Sequence, residues 1–191
     1  MGVFELPEGY YEIQRIDLVK NKKLAVLVNV MAVVIMIVLF IIGVIFVPFN
    51  FLFSKDNLIT VWLNVIGLLL AIILYIIAHE FIHGVFIKKY SCKKAKYGFN
   101  GLYAYTGSDA YFNKHQYVVI ALAPVVLFGI IFLLLNVFLP IEWFWGIYIL
   151  QIVNLSGAAG DFYITRLMCR LPSDVMTKDE GITMIIYSQM K

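Results

Sequence analysis

The chain has 191 residues, of which 62% are hydrophobic and only 14% charged, with a mean hydropathy of +0.90. Soluble domains carry about 45–50% apolar and about 25% charged residues, so a soluble globular protein is excluded: a core of this size could not hide so much apolar surface. The net charge of +3 requires no nucleic-acid partner, because the bases sit where membrane topology places them.

Residues 1–23 mix four acids with four bases. The apolar run that follows is far longer than a signal core of roughly 7–15 residues, so it is expected to stay attached as a first helix. Four stretches, 24–47, 58–87, 117–139 and 143–164, reach the span of about 20 apolar residues that a membrane helix needs. The first and third carry no charge, the second none from Leu58 to Ala78, and the fourth none before Asp161. No soluble domain, nucleotide loop or repeat is legible. The expectation is therefore one membrane domain over 1–191, an all-α integral membrane protein with about four transmembrane helices.

Basic residues set the expected orientation. Lys20, Lys22 and Lys23 precede the first span, six lysines fill 88–116, and Arg166, Arg170, Lys178 and Lys191 follow the fourth, against only Lys55 in the 48–57 connection. The positive-inside rule then places both termini (1–23 and 165–191) and the 88–116 loop in the cytoplasm, with the bases free to touch anionic headgroups of the bilayer. Trp143 and Trp145, beside Pro140, fit an aromatic belt at the outer interface. Cys92 and Cys169 both fall on the cytoplasmic side, form no C-x-x-C and read as inert thiols. Residues 97–112, "YGFNGLYAYTGSDAYF", alternate in short runs and read as a β-hairpin with a turn at Asn100-Gly101. It serves either as an edge strand for an extended substrate or as interfacial tyrosine anchoring.

The chemistry concentrates at His79-Glu80-Phe81-Ile82-His83, an H-E-x-x-H. On a helix the two histidines, four residues apart, project from one face and can reach one ion, with Glu80 beside them as a base. A catalytic zinc commonly takes three protein ligands and a water whose pKa falls to about 7; the motif supplies two ligands, so a third is needed. The other reading is of polar helix residues near an interface. Two of only three histidines in the chain lie here, inside a span, where ionisable residues are functional candidates. Asp161 is the candidate third ligand. Lys88 lies five residues after His83 and nine after His79, and Arg166 five after Asp161. At about 1.5 Å per residue, all three side chains lie roughly 7–14 Å inside the cytoplasmic boundary. Without a metal, Asp161 is an interfacial acid near Arg166.

Asn154, seven residues before Asp161, is placed to hydrogen-bond either a substrate carbonyl or oxyanion, or a neighbouring helix. Gly157 and Gly160 form a small-x-x-small edge for close helix packing, open to a homodimer, and Gly84 is read as packing too. His115 reads as a surface histidine, and Asp109 and Glu142 as solvated acids.

With His79, Glu80, His83 and Asp161 in place, the chain resembles the putative zincin peptidases, small bacterial membrane proteins themselves similar to the site-2 proteases, which cut peptide bonds within the membrane. The resemblance runs through "LPEGYYEI" (6–13), "NKKLAVLVN" (21–29), "AHEFIHG" (78–84), "KYGFNGLYAY" (96–105), "ALAPVVLFG" (121–129) and "NLSGAAGDFY" (154–163). It implies a bacterial cell-membrane zinc peptidase with a membrane protein or peptide as substrate, His79, His83 and Asp161 as zinc ligands and Glu80 as the base. Site-2 proteases carry Asn-Pro-Asp-Gly or Leu-Asp-Gly around the third ligand, whereas this chain has Gly-Asp-Phe. The competing expectation is a non-enzymatic membrane protein that binds metal or acts as a scaffold.

Overall fold

A computed structural model describes residues 3–49, 58–101 and 104–189. Lys55 and most of the 48–57 connection lie outside the described residues, as do positions 102 and 103 of the expected hairpin. Runs dominated by Leu, Ile, Val and Phe form three long helices, α1 (Lys22–Phe46), α2 (Leu58–Ser91) and α3 (Lys114–Phe138). All three are long and apolar enough to cross a membrane. Their ends are set locally. The Asn21 side chain accepts from the Leu24 N–H at 3.1 Å to start α1, and Asn113 with Gln116 forms a capping box at the start of α3. Lys88 and Lys89 stand in the last turn of α2, where cations complement the helix dipole.

The fourth expected span is two helices. After a short 3-10 turn at Ile141–Trp143, α4 (Phe144–Gly157) ends at Ala158, whose ψ of 14° is off the helical value, and α5 (Ala159–Arg170) follows. The 14 residues of α4 extend about 21 Å, short of a hydrocarbon core of about 30 Å. One of the two tryptophans, Trp145, departs from the expected belt. Trp143 is exposed, but Trp145 is fully buried against Phe40 and Tyr148, its indole N–H donating to the Pro48 carbonyl at 3.2 Å.

The all-α expectation is overturned, because strands from both ends of the chain build a mixed α/β fold. β1 (Tyr11–Asp17), β4 (Tyr111–Asn113), β5 (Met176–Asp179) and β6 (Thr183–Ser188) form an antiparallel sheet in the order β1-β6-β5-β4. β2 (Lys96–Phe99) and β3 (Ala104–Gly107) form a separate two-stranded antiparallel sheet, the hairpin expected in the 88–116 loop. The larger sheet was hidden for physical reasons. A bulge between Glu12 and Gln14 interrupts the alternation of β1, leaving Ile13 exposed and Ile16 buried. β4 and β5 have only three and four residues, too few for a period-2 signal.

The sheet buries Ile16, Phe112, Met184 and Ile186 against Ile87 of α2, Tyr117 and Ile120 of α3 and Met168 of α5. It thereby caps one end of the helical layer, beside the H-E-x-x-H turn. α1 packs on α4 and α5, and α3 packs on α2, α4 and α5.

Candidate metal centre

His79 and His83 stand one turn apart on α2, and their Nε2 atoms are 3.2 Å from each other. Asp161 arrives from the first turn of α5, immediately after the break at Ala158. Its Oδ2 lies 3.7 Å from His79 Nε2 and its Oδ1 3.8 Å from His83 Nε2. The three residues singled out by depth along the sequence therefore meet at one point. Glu80 completes the cluster: one ligand atom from each of His79, Glu80 and His83 lies within 4.8 Å of the others.

Hydrogen bonds decide which nitrogen of each ring faces that point. Asn154 is fully buried, and its amide Nδ2 donates to the Val125 carbonyl of α3 at 3.0 Å. Its Oδ1 must then accept, and the Tyr75 hydroxyl donates to it at 2.8 Å. A phenol has one hydrogen. The His79 Nδ1, 2.8 Å from the same hydroxyl oxygen, is therefore the donor in that contact, and its Nε2 keeps a lone pair. His83 follows the same logic more directly. Its Nδ1 lies 2.9 Å from the Ile120 carbonyl, which can only accept, so its Nε2 also presents a lone pair. Two ring nitrogens 3.2 Å apart, facing a carboxylate, suit a shared cation between them, either a proton or a metal ion.

Glu80 is held from the other side. The Thr106 hydroxyl of β3 lies 2.7 Å from Glu80 Oε2 and 3.0 Å from the Glu80 backbone carbonyl. The charged carboxylate is the closer and stronger acceptor. The hairpin docks beside it, with the Tyr97 hydroxyl resting where a Cβ on Gly84 would stand. Gly84 thus packs, as expected, though against the hairpin.

A cavity of about 490 Å³ opens on the cluster, lined by α1, α2, α3, β3, the α4–α5 break and the β5–β6 turn. Gly157 and Gly160 line it, and a Cβ on either would meet nothing within 4 Å. They widen the cavity, and within the chain they make no close helix contact. Asn154 does not line it, since both ends of its amide are engaged with neighbouring helices. Also lining it, Asp179 accepts at Oδ2 from the Tyr117 hydroxyl and at Oδ1 from the Gly181 N–H at 2.8 Å. Burial pushes the Asp179 carboxyl above its ordinary value, against the pull of those two donors. His115, Glu142, Cys92 and Cys169 are exposed, and Asp109 pairs with Lys96 at 2.6 Å on the surface.

Sequence reasoning missed Tyr75, Thr106 and Asp179. Tyr75 had a legible signal, since it precedes His79 by one helical turn. Thr106 and Asp179 had none, because only the docking of the hairpin and the C-terminal sheet brings them to the cavity.

The fold and this cluster define a membrane-associated α/β protein with a His-Glu-His group on one of its membrane-length helices. The family described as "Putative zincin peptidase" matches residues 71–176, or 106 of the 191 residues, and the chain belongs to that family. The match spans His79, Glu80, His83 and Asp161, and membership points to a metallopeptidase. No curated protein and no solved structure is similar enough to match the chain.

The donor set fits a metal of the zinc type. Two imidazole ligands at about 2.0–2.1 Å from zinc, at tetrahedral angles, stand about 3.3–3.4 Å apart, and the observed separation is 3.2 Å. Both rings offer the lone-pair nitrogen, and each donates its other N–H to an acceptor, as ligating histidines do.

Proposed function

We propose that the protein is a zinc-dependent endopeptidase that hydrolyses peptide bonds of membrane-associated substrates near the cytoplasmic face of the bacterial cell membrane, in the manner of the site-2 proteases. The observation that carries this reading is the convergence of two Nε2 lone pairs and the Asp161 carboxylate on one point beside Glu80. His79, His83 and Asp161 would hold the zinc. Zinc bound there supplies Lewis acidity for a carbonyl and makes a water acidic enough to lose its proton near neutral pH.

Glu80 takes that proton and later delivers it to the leaving amine. Thr106 keeps the carboxylate turned toward the cluster through the 2.7 Å hydrogen bond. The substrate enters as an extended segment, because a helical peptide bond is sheltered by its own backbone. β3 lines the cavity through Ala104, Tyr105 and Thr106 and has a sheet partner, β2, on one side among the described residues. Its other edge suits strand addition by the substrate. The distribution of lysine and arginine supports a multi-pass arrangement with both termini, the hairpin and the larger sheet on the cytoplasmic side.

The test is Glu80→Gln in purified protein reconstituted in lipid. Bound zinc should match wild type while cleavage of a membrane peptide falls by about 10²–10⁴-fold, the usual contribution of a positioned acid–base group. Undiminished cleavage removes Glu80 from the mechanism. Metal analysis beside His83→Ala checks the centre itself, and equal zinc in both proteins sinks the ligand set. Zinc-loaded wild type that cuts no membrane peptide returns the chain to a non-enzymatic metal-binding role.

A further inference from the structure

Pro124 lies in the interior of α3, ten residues from its start, and is fully buried. A proline has no N–H, so the carbonyl four residues earlier loses its helical donor. That carbonyl belongs to Ile120, and it is the one that lies 2.9 Å from His83 Nδ1. The proline ring also crowds the i−4 oxygen and tips it off the helix axis. In the hydrocarbon region a carbonyl left in that state must find another donor. Here the donor is the imidazole of the second histidine in the H-E-x-x-H.

We propose that Pro124 is a positioning residue for the metal centre. By withdrawing the backbone donor from Ile120, it gives His83 a full acceptor for Nδ1–H and aims the His83 Nε2 lone pair at His79 and Asp161. The proposal rests on the zinc-centre reading above. It explains why a helix long enough to span a membrane carries a proline at this position, one turn beyond the residue that His83 touches. The hydrogen bond on one ring nitrogen sets which nitrogen binds the metal, so a missing backbone donor on α3 becomes a ligand-orienting device on α2. α3 serves His79 as well, through Val125 and Asn154, and both imidazoles are thus referred to the same helix.

The experiment compares wild type with Pro124→Ala, each as the full chain in lipid nanodiscs, by zinc titration against a chelating fluorophore and by thermal unfolding. In the variant the backbone N–H restored at this position reclaims the Ile120 carbonyl. Zinc affinity should then fall about 10- to 100-fold, the usual effect of losing an outer partner of a ligand, while the melting temperature holds or rises, because the helix regains a bond. A merely structural proline predicts no loss of affinity. The ¹⁵N shifts of the His83 imidazole in wild type give a readout independent of the variant: protonated Nδ1 and unprotonated Nε2 support the proposal, and the opposite tautomer overturns it. Wild type that binds zinc, with Pro124→Ala within twofold of it, overturns the role of Pro124 and leaves the metal centre standing. Wild type that binds no zinc overturns both.

Discussion

Replacing Tyr75 by Phe removes a single oxygen from the chain of hydrogen bonds that runs from Val125 through Asn154 and Tyr75 to His79. The ring is kept, and with it the edge-on packing on Phe128, whose centroid is 5.3 Å away. Two buried groups lose their partner at once: His79 Nδ1–H and Asn154 Oδ1. Asn154 has no exposed surface, so water cannot replace the hydroxyl. An unsatisfied buried polar group costs about 1–3 kcal/mol, and two of them should lower stability by about 2 kcal/mol or more. The His79 ring is also free to turn or change tautomer, which weakens the ligand. Loss of an outer partner typically costs 10- to 100-fold in metal affinity, or about 1.4–2.7 kcal/mol. Competition titration of zinc in nanodiscs, run beside thermal unfolding, measures both effects. A stability loss with zinc affinity within twofold of wild type would refute the ligand-orienting role of the hydroxyl. No change in either would refute the relay altogether.

Thr106→Val keeps the shape of the side chain and deletes the bond to Glu80. Hydrogen bonds to charged groups contribute about 1.5–3 kcal/mol, so kcat on a membrane peptide should fall about 10- to 100-fold with zinc content unchanged, and Thr106→Ser should restore most of it. Asp179 makes a pH prediction. Its carboxyl is raised in the folded state above an unfolded value of about 3.9, so the native protein holds that proton more tightly. The stability it contributes is complete below about pH 4 and is lost as pH rises through the raised value. The unfolding midpoint of Asp179→Asn should therefore vary less as pH rises above about 4 than that of wild type, and parallel curves would count against the assignment.

Much of the site was readable because its signals are local. The histidines lie at i and i+4 and mark one helix face whatever the rest of the chain does. The level of Asp161 followed from counting residues to Arg166, and its carboxylate does meet both rings. That count assumed a continuous helix from 143 to 164, which the break at Ala158 contradicts. Asp161 sits C-terminal to the break, so its distance to Arg166 was unaffected. Asn154 sits on the other side, in α4, and its amide is engaged by Tyr75 and Val125. The glycines were misread for a related reason: small residues permit close packing and open space equally, and only the neighbours distinguish the two.

Composition and local spacing alone determined the membrane class, three of the four expected spans, the hairpin and the H-E-x-x-H, since hydropathy, turn residues and the 3.6-residue period act within one segment. The tertiary structure alone decided the four-stranded sheet, whose edge strand β1 pairs with β6 from the far end of the chain. It also decided which nitrogen of each histidine faces the cavity, because the partners of those rings, Ile120 and Asn154, belong to other helices. A ligand's identity is written in one residue. Its orientation is set by acceptors that reach it only when distant segments pack.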